Sequence, residues 1–192
     1  MKKLDYSELN NVSTPQILVK TLEKSVVFEG NLQYMDADDE LLAIANFIKE
    51  NTDHNSDINP ERIKYLYTTL VKKDGGRYVL GGLKPRSEEE RMINDEYDYI
   101  LSVHYKSWKE LDIENKVILL DKILCGVDVD LNNKVKKQAV DVKEYDSNLK
   151  CYGVEKSLNS SEIIDMAIDR IISEEKEERK NKKDKKGQED DE

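Results

Sequence analysis

The stretch Tyr97-Asp98-Tyr99-Ile100-Leu101-Ser102-Val103 constrains the fold more than any other part of the chain. Aromatic and branched side chains crowd it, and such residues suit a pleated, half-buried surface. Trp108 and Leu111 follow, and Asp112 then marks the start of a helix. That helix carries Val117, Leu120 and Leu124 on one side, with Ile123 nearby. A strong strand and a strong amphipathic helix thus follow one another.

The other elements follow from spacing. A first helix is expected after Asp36, with Asp38, Asp39 and Glu40 complementing its dipole and Leu41, Ile44, Ala45 and Ile48 as its apolar stripe. Asn51 to Asp57 reads as a turn. Asn59 and Pro60 then predict a second helix, with Ile63, Leu66, Tyr67 and Leu70 on its core face. Asp74-Gly75-Gly76 is a turn signal, and Arg77-Tyr78-Val79-Leu80 after it is strand-like. Ser87 and Glu90 form a capping-box pair for a short third helix. Asp141 to Tyr152 is helical and closed by Gly153. Asn159 and Glu162 are spaced to cap a last helix, whose stripe is Ile163, Ile164, Ala167, Ile168, Ile171 and Ile172.

These signals divide the chain. Residues 1–34 form an extension with a short amphipathic stretch after Pro15 and a strand-like Ser25-Val26-Val27-Phe28; docking on the main domain or on a partner fits equally. Residues 35–155 are the organised domain, and 156–180 the C-terminal helix. Residues 181–192 read as a disordered, solvated tail, with a basic contact site around Lys182-Lys183-Asp184-Lys185-Lys186 as the sharper alternative.

Composition narrows the function classes. The chain has 192 residues, 38% of them apolar and 38% charged, which allows one modest core. Its formal net charge of −10 argues against nucleic acid as a general partner, because phosphate backbones are gripped by basic patches. Cys125 and Cys151 make no disulfide framework and read as free thiols in a reducing compartment. No run approaches the roughly 18 apolar residues needed to span a bilayer. The start, Met1-Lys2-Lys3-Leu4-Asp5-Tyr6, has no apolar region behind its charges, so neither a secretory signal nor a membrane partner is expected.

Several segments together resemble a known family. Asn59-Pro60-Glu61-Arg62-Ile63-Lys64-Tyr65-Leu66 is similar to its early helix, and Gly75-Gly76-Arg77-Tyr78-Val79-Leu80-Gly81 to its first strand. Tyr97 to Val103, with Trp108 and Leu111, resembles its central strand and the tryptophan before its active helix. Leu119-Leu120-Asp121 and Leu124-Cys125 fit the scaffold of that helix, and Val140-Asp141-Val142-Lys143-Glu144-Tyr145 with Tyr152-Gly153 fits the segment after it. Over about residues 36–153 the chain thus resembles the putative phage metallopeptidase family, compact zincin-like proteins of phages and prophages. The resemblance implies an α+β fold, a small sheet packed on helices.

A zincin helix presents two histidines four residues apart, with a glutamate beside the first as general base. At the positions the resemblance assigns to them, this chain has Lys122, Gly126 and Ile123. Val140 stands where the family has a histidine before the aspartate, the third presumed ligand. An ammonium, a hydrocarbon and a hydrogen atom neither hold zinc nor move a proton. The expectation is therefore a degenerate member with no catalytic residue, no bound metal and no cofactor. Lys122, if it points into the former pocket, is expected to pair with Asp141 or Glu144, because a buried ammonium needs an acidic partner.

Other candidates are weaker. Asp121 and Cys125 share a helix face and could in principle hold zinc, but packing or capping suits them better. Asp128, Asp130, Asp141 and Glu144 match no calcium loop. His54 and His104 stand in unrelated contexts, without a serine or cysteine in a nucleophile motif. Gly75-Gly76 and Gly81-Gly82 are turn glycines, not a phosphate cradle. Two functions follow: a phage or prophage protein acting non-catalytically on another protein, phage or host, as a virion component or counter-defence factor; or a residual metal-dependent peptidase with relocated ligands. The place expected is the cytoplasm of the bacterial host, or the virion.

Overall fold

The structure, a computed structural model, describes residues 4–12, 34–52, 58–69, 71–74, 77–93, 96–129, 135–137 and 146–189. In chain order its elements are β1 (Tyr34–Asp36), α1 (Asp38–Asn51), β2 (Ile63–Thr68), β3 (Lys72–Asp74), β4 (Arg77–Val79), β5 (Gly81–Pro85), α2 (Glu88–Ile93), β6 (Tyr99–His104), α3 (Tyr105–Lys109), α4 (Ile113–Cys125), β7 (Val127–Val129), β8 (Val135–Lys137), α5 (Asp146–Tyr152) and α6 (Val154–Glu189). The fold is α+β. Its main sheet has the order β1-β2-β6-β5, and β3-β4 and β7-β8 form separate hairpins.

The strand read first in the sequence is central. β6 runs parallel to β2, with Tyr65 opposite Leu101, and antiparallel to β5, with Gly81 opposite Val103. Five of its six residues are buried (only Ile100 is partly exposed), as expected for a strand flanked on both edges and covered by helices. Its last residue, His104, also caps α3 through its ring.

The second expected helix is a strand instead. Asn59 does cap, and Pro60 does open a turn, but the turn is a single 3-10 turn ending at Arg62. From Ile63 the buried apolar side chains are Ile63, Tyr65 and Tyr67, at the period of two, and Thr68 at the strand's end is buried as well. The run Ile-Lys-Tyr-Leu-Tyr-Thr is aromatic and branched, so pairing with β6 overrides the helical spacing of Ile63, Leu66 and Tyr67. Leu70 lies outside the described residues.

The helices behave as expected in most places. α1 buries Leu41, Ile44, Ala45 and Ile48. α4 is capped by Asp112, whose Oδ1 accepts from Asn115 N at 2.8 Å, and buries Val117, Leu120 and Leu124. Ser87 and Glu90 make both bonds of a capping box before α2. Gly153, at φ 87°, closes α5 and turns the chain directly into α6. α6 therefore starts at Val154, and Asn159 and Glu162 lie inside it rather than at its cap. Its Ile164, Ala167, Ile168, Ile171 and Ile172 are buried in the core, and no apolar residue follows Ile172.

Glu40 positions α4 within this core. The sequence reading gave it only a dipole role, yet it is 7% exposed and carries three bonds. Tyr67 Oη donates to its Oε2, while Trp108 Nε1 (3.1 Å) and Lys116 Nζ (2.8 Å) donate to its Oε1. One carboxylate so joins α1, β2, α3 and α4. Residues 4–12 dock on the same body: Leu9 is buried and the Tyr6 ring lies 5.7 Å from that of Phe47. Burial, reinforced by Glu114, pushes the Tyr6 phenol up to about 12. The strand-like Ser25 to Phe28 lies outside the described residues.

Candidate functional site

Near its C-terminal end α4 presents three consecutive residues to three different neighbours, because each step along a helix turns about 100°. Asp121 faces α5. It is fully buried, its Oδ2 accepts from Asn148 Nδ2 at 3.1 Å, and its Oδ1 accepts from the Cys125 thiol at 3.8 Å. Tyr152, also buried, belongs to this cluster: burial first, and then the Asp121 charge, hold its phenol protonated far above the usual range.

Lys122 faces α6. It is half-buried, and its Nζ donates to Ser161 Oγ at 3.1 Å. The carboxylates expected to pair with it, Asp141 and Glu144, lie outside the described residues. The partner that the sequence reading did not name is the serine of the last helix.

Ile123 faces the edge strand. A Cβ added at Gly81 of β5 would lie 3.0 Å from Ile123 Cδ1, 2.7 Å from Ser102 O and 2.8 Å from Val103 Cγ1. The isoleucine therefore packs on a glycine that must stay bare. Gly126 ends the helix with φ −68° and ψ −1°, an ordinary right-handed conformation that does not require glycine. Val140 lies outside the described residues.

The remaining sequence candidates do not assemble with these. His54, Asp130, Asp141 and Glu144 lie outside the described residues, and Asp128 is placed only as a β7 position opposite Lys136. No group of three or more histidine, cysteine, aspartate or glutamate side chains gathers as a metal-holding set among the described residues. Asp121 and Cys125 do meet, but inside the packed core.

His104 does have a serine partner, although it forms no nucleophile motif in the sequence. Its Nδ1 lies 2.9 Å from Ser107 Oγ and accepts from Ser107 N at 3.4 Å. The signal was a histidine three residues before a serine at a helix start, the spacing of a cap. Both side chains are essentially inaccessible, at 1% and 0% exposure, so the pair caps α3 and meets no substrate. Burial, with the charge of Lys106, pushes the imidazole down to about 4.

No described helix is long and apolar enough to cross a membrane. No curated protein and no solved structure matches the chain. A family model does match, over residues 32–175, a span that takes in the main sheet, α4 and the docked half of α6. The chain belongs to the putative phage metallopeptidase family.

Proposed function

We propose that this protein is a non-catalytic member of its family that works by binding another protein. The observation that carries the reading is the state of α4: Lys122 is bonded to Ser161, and Ile123 is packed against Gly81. At the positions that the resemblance assigns to a zinc ligand and a general base, one side chain is a cation and the other a hydrocarbon. A lone-pair donor set is what zinc requires, and Lys122, Ile123, Gly126 and Val140 offer none. Zinc does not fit these residues, and Ile123 supplies no base to activate a water.

The partner in this reading is a virion component or a host defence protein, met in the bacterial cytoplasm or in the particle. The C-terminal helix buries Ile164, Ala167, Ile168, Ile171 and Ile172 of its expected stripe, while Ile163 stays 42% exposed. The test is incubation of the purified chain with excess zinc, dialysis and elemental analysis, alongside a peptidase assay on unfolded casein. The expected result is no stoichiometric zinc and no cleavage. Zinc retained at one per chain, with cleavage that a chelator abolishes, would sink the reading.

A further inference from the structure

α6 meets the core along one side only, and its outer side follows from the helical step of about 100° per residue. That step sets Val154, Leu158 and Met166 in one sector of about 120°, along about 22 Å of helix. They are 60%, 42% and 70% exposed, three of the four large apolar side chains that α6 leaves uncovered. Ile163, the fourth, lies on another side of the helix. A lone exposed apolar residue is ordinary, but three aligned ones form a strip.

Acids fill the rest of the sector. Glu155, Glu162, Asp165 and Asp169 share it and are all exposed. No carboxylate of these four enters an ion pair among the described residues. Glu162 and Asp165 are three positions apart and Asp165 and Asp169 four, so like charges stand at neighbouring helix positions, which weakens the helix.

The nearby cations do not neutralise this face. Lys156 is the only one from 154 to 169; it lies on another side and donates to Glu114 Oε1. Arg170 donates to Glu110 Oε2 at 3.2 Å and to Glu174 Oε1 at 3.0 Å. Lys122 Nζ reaches the border of the sector, where it donates to Ser161 Oγ. Lys150 and Lys176 stand before and after the sector in the sequence.

A strip of apolar side chains set among acids selects its occupant by charge. Nucleic acid and anionic lipid are repelled. A second copy docking through the same face would set these acids against themselves. A cationic segment relieves the repulsion between the acids while its apolar residues cover the strip.

We propose that the outer face of α6 from Val154 to Asp169 is a docking surface for a cationic segment of another protein. Its apolar residues cover Val154, Leu158 and Met166, and its lysine or arginine side chains meet Glu162, Asp165 and Asp169. This rests on the protein-binding reading above and names its surface.

The decisive experiment places p-benzoylphenylalanine at Met166 in the full chain, irradiates phage-infected host cells, and identifies the cross-linked product. A parallel probe replaces Met92, which is exposed on α2. The product is then purified and titrated with the wild-type chain, with Leu158→Ser/Met166→Ser and with Glu162→Lys/Asp165→Lys. Glu88→Lys/Glu89→Lys makes the same change of charge on α2 and serves as the control.

The expected result is one discrete protein at position 166, bound at least about tenfold more weakly by each α6 variant. The control should stay within about twofold of wild type. Because the replaced side chains are exposed, every variant should melt within about 2 °C of wild type. Cross-linking to a second copy, to lipid or to nucleic acid would overturn the proposal, as would absence of a product at 166. So would undiminished binding by either α6 variant, or an equal loss in the control. A protein captured at 92 but not at 166 overturns this surface and leaves the protein-binding reading standing. Products at neither site, together with stoichiometric zinc, overturn both.

Discussion

Glu40 and Trp108 lie 68 positions apart in the chain, and Trp108 Nε1 donates to Glu40 Oε1 at 3.1 Å. Lys116 donates to the same oxygen and stacks 5.4 Å from the Trp108 ring, so indole, ammonium and carboxylate form one closed group. The side chains of Lys116 and Glu40 are 18% and 9% exposed, which leaves little solvent to screen them. Replacing Glu40 by alanine strands a cation and two donors. The expected cost is about 3 kcal/mol in urea unfolding, while Glu40→Gln, which keeps one acceptor, costs less. A loss below about 1 kcal/mol for the alanine would mean that the group is not a unit.

Acid should weaken the fold through His104. Its imidazole titrates at about 4 in the folded protein, against a value of 6.5 when free. Between those values the unfolded chain holds the extra proton. Stability from this residue is therefore complete above about pH 6.5 and declines as pH falls towards 4, by about 3 kcal/mol in all. His104→Asn retains a capping oxygen, and its stability curve should be flatter over that window. Parallel curves for the two proteins would refute the assignment.

Gly81 should tolerate no side chain. Gly81→Ala puts a Cβ against Ser102 O and Val103 Cγ1 as well as Ile123 Cδ1, so about 1–3 kcal/mol should be lost. Trimming Ile123 to alanine should not restore it, because the backbone oxygen at 2.7 Å cannot retreat. Rescue in the double variant would place the strain on Ile123 alone.

Asn148 holds the short helix α5 to α4 through Asp121. Asn148→Ala should leave a buried carboxylate short of one donor and cost about 1–3 kcal/mol. Hydrogen exchange should quicken over Asp146–Tyr152 before it changes in β6. Uniform quickening across both would argue for global rather than local loosening.

On the proposed reading, supplying the zincin helix motif alone does not create a metal site. A Lys122→His/Ile123→Glu/Gly126→His variant supplies two imidazoles, while Val140, at the position the resemblance gives to the third ligand, supplies none. Elemental analysis after dialysis is expected to show well under one zinc per chain. Adding Val140→His is the comparison, and stoichiometric zinc in the triple variant would contradict the assignment of Val140.

Which parts of this were legible in the sequence depended on whether the cause was local. The caps at Asp112 and Ser87, the stripe of α1 and the closing Gly153 are set by neighbours within a turn, and they came out as read. β2 did not, because Ile63 to Thr68 satisfies a helical and a strand period over so short a span, and only β6 decides between them. Lys122 pointed somewhere protected, but its tie to Ser161 links residues 39 positions apart, which spacing does not encode. Glu40 is the clearest omission: three acids in a first turn look alike until a tryptophan and a lysine from other helices choose one.

The Arg62–Asp98 clamp has a bearing on how the molecule assembles. Arg62 and Asp98 are 36 residues apart and sit immediately before Ile63 and Tyr99, the first rung of the parallel ladder. Parallel strands have no hairpin to set their register, and a slip by one residue would turn Ile63, Tyr65 and Tyr67 to the wrong face. A bidentate ion pair at the first rung penalises that slip. The loop between the strands must close before the rung can form, which makes this the slow pairing of the sheet, and β5 with β6 the early one.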